Sequence, residues 1–337
     1  MDTPRRKRRL SRPLDELPGL FDIVDIADNA IAGDIIKAHE SAVKHKSHDA
    51  ASDITEIDES RIVADPAIKF LSFGSGSSGN CAYIGTDKCG LLIDAGVDNN
   101  YVTNELLRNG IDISSVRGIL LTHDHGDHVK FAYSLLRRNK SMALYCTPRT
   151  LNGLLRRHSI SRRIKDYHHA IYKEFPFAVG DLEITAFEVS HDGTDNVGYF
   201  IKSADMIFVV TTDTGYITER ADYYMRQANF LMIESNYDLD MLVSGRYPEY
   251  LKARIKSDTG HLDNRVTAAY LASVAGHGLS DVFLCHLSHD NNTPQIALKC
   301  CSDALNAAGI GTGPNGLRLS ALPRFETSPL HILRIRK

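Results

Sequence analysis

No apolar run in this chain approaches the ~20 residues that a membrane-spanning helix needs, although 43% of its residues are hydrophobic. Acids and prolines interrupt the basic start MDTPRRKRRLSRPLDELPGLF, so the apolar stretch of a secretion signal is missing as well. The six cysteines (Cys81, Cys89, Cys146, Cys285, Cys300 and Cys301) show no C-x-x-C spacing, and 337 residues can bury a core without disulfides. Each cysteine reads as a small buried hydrophobe. Internal repeats are absent. Net charge is only −3, so the average composition singles out no charged partner. These absences exclude a membrane protein and a disulfide-stapled secreted domain, and they predict a cytoplasmic protein with reduced thiols and no membrane partner.

The chain changes character near residue 66. Residues 1–65 are charged and poor in strand patterns. They read as a largely disordered extension with a basic tip, RRKRR, and one short amphipathic helix over 20–37, where acids at 22, 25 and 28 oppose apolar positions. Residues 66–337 alternate apolar strand-like runs (IKFLSF, CGLLIDAG, RGILLT, MIFVVTT, FLMIES, DVFLCHLS) with helical stretches such as TPRTLNGLLRRH, which opens with a Thr cap and Pro at its first position. The strands outnumber those of one doubly wound sheet. Two packed mixed β-sheets with helices outside, an α/β sandwich, fit the count.

Gly74-Ser-Gly-Ser-Ser-Gly79 matches the dinucleotide-binding pattern G-x-G-x-x-G, with Asp94 where a ribose-binding acid would stand. The chemistry of that fingerprint requires a helix N-terminus facing the pyrophosphate. Here NCAYIGT follows, a strand, and no Gly-Lys-Ser/Thr ending makes the loop a P-loop. No nucleotide cofactor is expected.

The informative stretch is LLTHDHGDHV. His123, His125, Asp127 and His128 are four potential metal ligands in six residues directly after a buried strand. Further candidates stand at the ends of other apolar strands: His191 in FEVSHD, Asp213 in VVTTDTG, and His286 in FLCHLSHD with His289 close behind. Taken singly, His191 suits a satisfied strand-end histidine and Asp213 a turn former. Together they make a set for two divalent metals, zinc by ligand type, with manganese or iron open to a site containing carboxylates.

The motif H-x-H-x-D-H, with SFGSGSSGNCAYI, LLIDAG, ESNYD, GHLDN and HLSHDNNTP, resembles the metallo-β-lactamase superfamily, and within it the YycJ-like (WalJ-like) nuclease-type subgroup. The resemblance spans roughly 68–337. It implies an αββα sandwich, a dinuclear centre built by His123, His125, Asp127, His128, His191, Asp213 and His286, and a metal-activated water attacking a phosphodiester. It makes Asp94 an acid that steadies the ligand turn, and His261, oriented by Glu234, a general acid working with Asp127. His261 also reads as a plain loop histidine before the Asp263 helix cap, and His289 competes with His286 as last ligand. Ser75, Ser77, Ser78 and Asn80 of the glycine loop are placed to meet phosphate oxygens. Residues 130–165 hold ten Lys/Arg and no Asp or Glu, leaving the rest with 29 basic against 42 acidic residues. Arg156, Arg157, Arg162 and Arg163 in that stretch point to a nucleic-acid substrate. The expected function is therefore a metal-dependent exonuclease-like phosphodiesterase on DNA or RNA. A small-substrate hydrolase of lactonase, thioesterase or cyclic phosphodiesterase type, and a non-catalytic metal-stabilised regulatory protein, are the other readings.

Overall fold

A computed structural model describes residues 66–276 and 278–335. The extension expected over 1–65, with its helix at 20–37, lies outside the described residues. One sheet contains β1 (Ile68–Gly74), β2 (Cys81–Gly85), β3 (Gly90–Ile93), β4 (Val116–Leu120), β5 (Ala143–Cys146) and β6 (His168–Ala170), side by side in that order. The second contains β7 (Phe177–Val179), β8 (Leu182–Glu188), β9 (Val197–Ser203), β10 (Met206–Thr211), β11 (Phe230–Glu234), β12 (Asp281–Cys285) and β13 (Arg318–Ala321), and β14 (His331–Leu333) returns to flank β1. Each sheet is mixed. β1–β3 and β7–β10 run antiparallel to their neighbours, whereas β3–β6 and β10–β13 are parallel.

The period-2 alternation of strand side chains sorts the core into three layers. Phe70, Ile84, Leu91 and Ile93 of the first sheet meet Ile184, Tyr199, Phe208 and Phe283 of the second, and Phe70 lies 4.9 Å from Phe208 and 4.7 Å from Phe283 between ring centres. The opposite face of the first sheet (Leu71, Tyr83, Leu92) packs against α1 (Asn99–Arg108), and further along against α3 (Ala132–Arg138) and α4 (Pro148–Arg157); the single-turn α2 (Gly126–Val129) precedes α3. Val209, Leu231 and Leu284 of the second sheet carry α5 (Glu219–Met225), α8 (Asn264–Val274) and α9 (Pro294–Ala307); α6 (Leu239–Ser244) and α7 (Glu249–Ile255) lie between β11 and α8 in the chain. Strands such as β2, β11 and β12 are buried along their whole length, which is why they read as continuous apolar runs. This is an αββα sandwich.

Local signals place the helices. Thr147 caps α4 by accepting from the Thr150 N–H with Pro148 at the first position, and Thr293 and Pro294 open α9 the same way. Gly110, after α1, sits at φ 70°. The short β6, β7 and β14, and the pair α6–α7 around Gly245 and Pro248, go beyond the sequence reading. Three-residue strands and helices of six or seven residues are too short to show a period.

Candidate metal centre and active site

The candidate ligands and the acids expected to support them converge because they occupy the C-terminal ends of strands along one rim. His123–His128 follow β4, Asp94 follows β3, His191 β8, Asp213 β10 and His286 β12, while Glu234 ends β11. Asp94, Asp213 and His286 adopt left-handed backbone conformations at φ 60°, 51° and 53°. Such conformations cost about 1–3 kcal/mol each in a non-glycine residue and gather at functional sites.

Four overlapping groups of donor atoms result, one of them joining His123, His128 and Asp213. His123 Nε2 lies 3.0 Å from His125 Nδ1, which is 3.3 Å from His191 Nε2. Asp127, His128 and His286 form a second group, with His128 Nε2 3.4 Å and His286 Nε2 3.6 Å from Asp127 Oδ2. Asp213 reaches both: Oδ2 is 3.4 Å from His128 Nε2 and Oδ1 is 3.8 Å from His191 Nε2. A third set joins Asp213, Glu234, His261 and His286.

The outer ring nitrogens are held by neighbours, which turns the inner ones to the centre. His128 Nδ1 donates to Asp94 Oδ2 at 2.7 Å. Asp94 also accepts from the Thr122 N–H at 2.8 Å, and the Thr122 hydroxyl links it to His123 Nδ1 at 2.9 Å. His191 Nδ1 donates to the Gly260 carbonyl at 3.0 Å, and His125 Nε2 lies 3.2 Å from Asp192 Oδ1. With their outer nitrogens donating, His125 Nδ1 and His191 Nε2 turn lone pairs towards one another, which fits a bound cation, and so does the buried His286 Nε2, which has no hydrogen-bond partner. The residues present therefore fit divalent metal ions.

Electrostatics agree with this chemistry. Burial, then the neighbouring imidazoles, hold His123 well below its usual pKa. Burial brings His191 to about 4. Burial opposes charge on His128, but Asp127, Asp94 and Asp213 lift it well above 6.5. His286 is likewise raised to about 10 by Asp213, Asp127 and Glu234 against burial. Asp127 and Asp213 stay ionised below the usual carboxylate range because adjacent imidazoles outweigh their burial.

Glu234 Oε1 accepts from His261 Nδ1 at 2.7 Å and lies 3.0 Å from His286 Nδ1, while Oε2 accepts from the Thr214 N–H at 2.9 Å. His261 sits between His191 and His286, 5.0 and 5.1 Å from them ring to ring. His289 lies apart, half exposed and 3.0 Å from Asp290.

The glycine loop connects β1 to β2 and serves the ligand turn. Asn80 Nδ2 lies 2.9 Å from both Asp127 Oδ2 and His128 Nε2. Ser75 is buried with its hydroxyl accepting from the His286 N–H at 2.8 Å, so it supports the last ligand and has no surface for substrate. Ser77 accepts from Arg324 at 2.8 Å, and the Ser78 hydroxyl is buried without a partner. Arg156, Arg157, Arg162 and Arg163 are all exposed. Arg157 is 3.5 Å from Asp124, and His158 Nε2 donates to the Asp124 carbonyl at 2.6 Å, which docks this basic stretch on the ligand turn. Tyr167, just beyond this stretch, packs partly buried against the core.

Thr122, Asp192, Asn236 (which donates to the His286 carbonyl at 2.8 Å) and the Gly260 carbonyl escape the sequence reading, because their partners are far away in the chain. Asp192 beside His191 was the one visible signal.

A model of the beta-lactamase superfamily domain matches residues 90–286, a span that runs from the start of β3 to His286. The chain belongs to the metallo-β-lactamase superfamily. Within the superfamily it is 35% identical over 252 residues to exodeoxyribonuclease YycJ of Bacillus anthracis, covering 73% of this chain and 92% of that protein. It is 32% identical over 267 residues to exodeoxyribonuclease WalJ of Streptococcus pneumoniae, covering 79% and 97%. Among solved structures it is similar to the metallo-β-lactamase fold protein YhfI from Bacillus subtilis, with TM-score 0.58 at 15% identity over 78% of this chain and 99% of that one. At this identity the structural likeness speaks to superfamily fold.

Proposed function

We propose that this chain is a metal-dependent exonuclease that hydrolyses phosphodiester bonds of DNA. The observation that carries the reading is the Glu234–His261 couple, 2.7 Å apart and set inside the ligand cluster. A hydrolase with a good leaving group has no need of such an acid, whereas an expelled sugar alkoxide must be protonated. The exodeoxyribonuclease names of the YycJ and WalJ relatives support the same reading.

His123, His125 and His191 would hold one divalent ion and Asp127, His128 and His286 a second, with Asp213 shared; the imidazole-rich set suits zinc, and its carboxylates admit manganese or iron. When bound, the ions supply Lewis-acid polarisation of the phosphoryl group and a water nucleophile usable at neutral pH. The protein's own groups do the rest. Asp127, aligned by Asn80, orients the attacking water and takes its proton. Glu234 fixes the His261 tautomer by accepting from Nδ1, so Nε2 delivers a proton to the leaving oxygen as its bond to phosphorus breaks. The exposed arginines from Arg156 to Arg163 run beside the ligand turn as a track for the strand's phosphates.

The test is end-labelled DNA and RNA with metal-loaded protein, alongside bis(4-nitrophenyl) phosphate and a thioester. Mononucleotides released progressively from DNA are expected. Turnover of the thioester with no cleavage of either nucleic acid would replace this reading with a small-substrate hydrolase.

A further inference from the structure

His191 also lines a cavity of about 640 Å³, together with Arg149, Lys173, Tyr216 and Arg220 among others. That is within the range of small-ligand pockets. Its wall carries an exposed aromatic ring. Five Phe or Tyr side chains are prominently exposed among the described residues, and one of them reaches this cavity. Tyr216, 48% exposed, lines it directly. Tyr172 and Phe175 flank Lys173 in the chain, and the Arg220 guanidinium lies 4.8 Å over the Tyr223 ring. An exposed ring in a cavity wall offers a flat face on which a base can stack.

The backbone under Tyr216 is fixed. The Gly215 N–H donates to the Ser190 carbonyl at 2.8 Å, and the Thr214 hydroxyl donates to the Tyr216 carbonyl at 2.7 Å. The ring is thus held three residues from Asp213 and against the His191 strand end. Charge in the cavity is mixed. Lys173 lies 2.8 Å from Asp195 and 3.6 Å from Glu188, Arg220 is bound to Glu174, and Glu219 adds a further acid. Arg149, on the first turn of α4, forms no ion pair among the described residues. A run of phosphates would be repelled by the acids, whereas one base on the aromatic wall with one phosphate at Arg149 suits both features.

We propose that this cavity is a subsite for one unpaired nucleotide next to the scissile phosphate, with Tyr216 stacking on its base and Arg149 meeting its phosphate. The proposal rests on the nuclease reading and adds to it that the terminal nucleotide leaves the duplex before it is cut. Aromatic stacking tolerates any base, as an exonuclease requires.

The experiment uses the full chain, metal-loaded, with an oligodeoxynucleotide ending in 2-aminopurine and joined by slowly cleaved phosphorothioate linkages. Wild-type protein is expected to quench the terminal fluorophore by stacking. Tyr216→Ala should lose the quench and raise the Kd or KM for the oligonucleotide about 5- to 150-fold, the equivalent of one stacked base. Tyr216→Phe should restore both, which a merely structural role of the hydroxyl would not give. If wild type degrades DNA while Tyr216→Ala quenches and binds as wild type does, the subsite is wrong and the nuclease reading stands. If wild type cleaves no nucleic acid and quenches nothing, both fall together.

Discussion

At the scale of single residues, the proposed function divides the site into groups that would hold metal and groups that would move protons, and substitutions should separate them. His261 touches Glu234 and lies near His191 and His286, yet the six imidazole and carboxylate groups around Asp213 form metal-binding sets without it. His261→Ala is therefore expected to keep its metal while turnover of DNA falls by roughly 10²–10⁴-fold, the usual worth of a general acid. Metal analysis beside the rate decides the matter, since loss of metal would make His261 a ligand. Glu234 bonds to His286 as well as His261, so Glu234→Gln should lower both turnover and metal retention. The pKa pattern adds a pH dependence. In the metal-free protein His286 titrates at about 10 and His128 well above 6.5, so both carry protons at pH 7 that a metal must displace. Metal affinity should consequently rise with pH through neutrality, and calorimetric titration in buffers of different ionisation enthalpy should register net proton release. The sign for folding runs the other way. A pKa raised from 6.5 to about 10 stabilises the metal-free fold fully below pH 6.5 and loses that contribution as pH rises towards 10. Zero proton release at pH 7 would contradict the assignment of these imidazoles as ligands.

At the scale of elements, the loops between strands fix one another by backbone contact. The Asn80 N–H donates to the Asp127 carbonyl at 2.8 Å, the Gly96 N–H to the Asn80 carbonyl at 2.9 Å, and the Ala95 N–H to the His128 carbonyl at 2.8 Å. A Cβ on Gly96 would stand 1.5 Å from the Asp127 carbonyl oxygen. Gly96→Ala must displace the ligand turn, and the expected outcome is folded protein, by circular dichroism, that has lost most of its metal and activity. Full metal retention would show that the turn is held some other way. The same contacts explain what could be read in advance. The HDHGDH turn was legible because four candidate ligands crowd behind one apolar strand, and Asp94 only through the family resemblance of LLIDAG. Thr122 as a relay between Asp94 and His123, Asp192 against His125, and Gly260 under His191 were not legible. Each depends on a pairing that only the packed sheets create, 69 residues apart in the case of His191 and Gly260. The burial of Ser75 and the exposure of Tyr216 are likewise properties of the fold and leave no trace in local composition.

At the scale of the whole molecule, charge is distributed more tellingly than its sum of −3 suggests. The acidic majority lies outside residues 130–165, where ten Lys/Arg occur without a single Asp or Glu. The structure puts part of that stretch on α4 and the turn after it, with Arg157 and His158 contacting Asp124 between the ligands His123 and His125. On the proposed nuclease reading, a strand drawn along this track by its phosphates would end at the candidate metal cluster, whereas the negative remainder would discourage binding elsewhere. Each phosphate that meets a cation releases condensed counterions, so the logarithm of affinity should fall linearly with the logarithm of salt, by about 0.9 per contact for duplex and 0.7 for single strands. Reversing Arg156, Arg157, Arg162 and Arg163 to Glu should weaken DNA binding strongly and flatten that slope. Metal content is followed in parallel, with Arg156, Arg162 and Arg163 also reversed without Arg157, because Arg157 lies 3.5 Å from Asp124 on the candidate ligand turn. Measured across a salt series by fluorescence anisotropy, an unchanged slope in the reversed protein would move the phosphate track off this face.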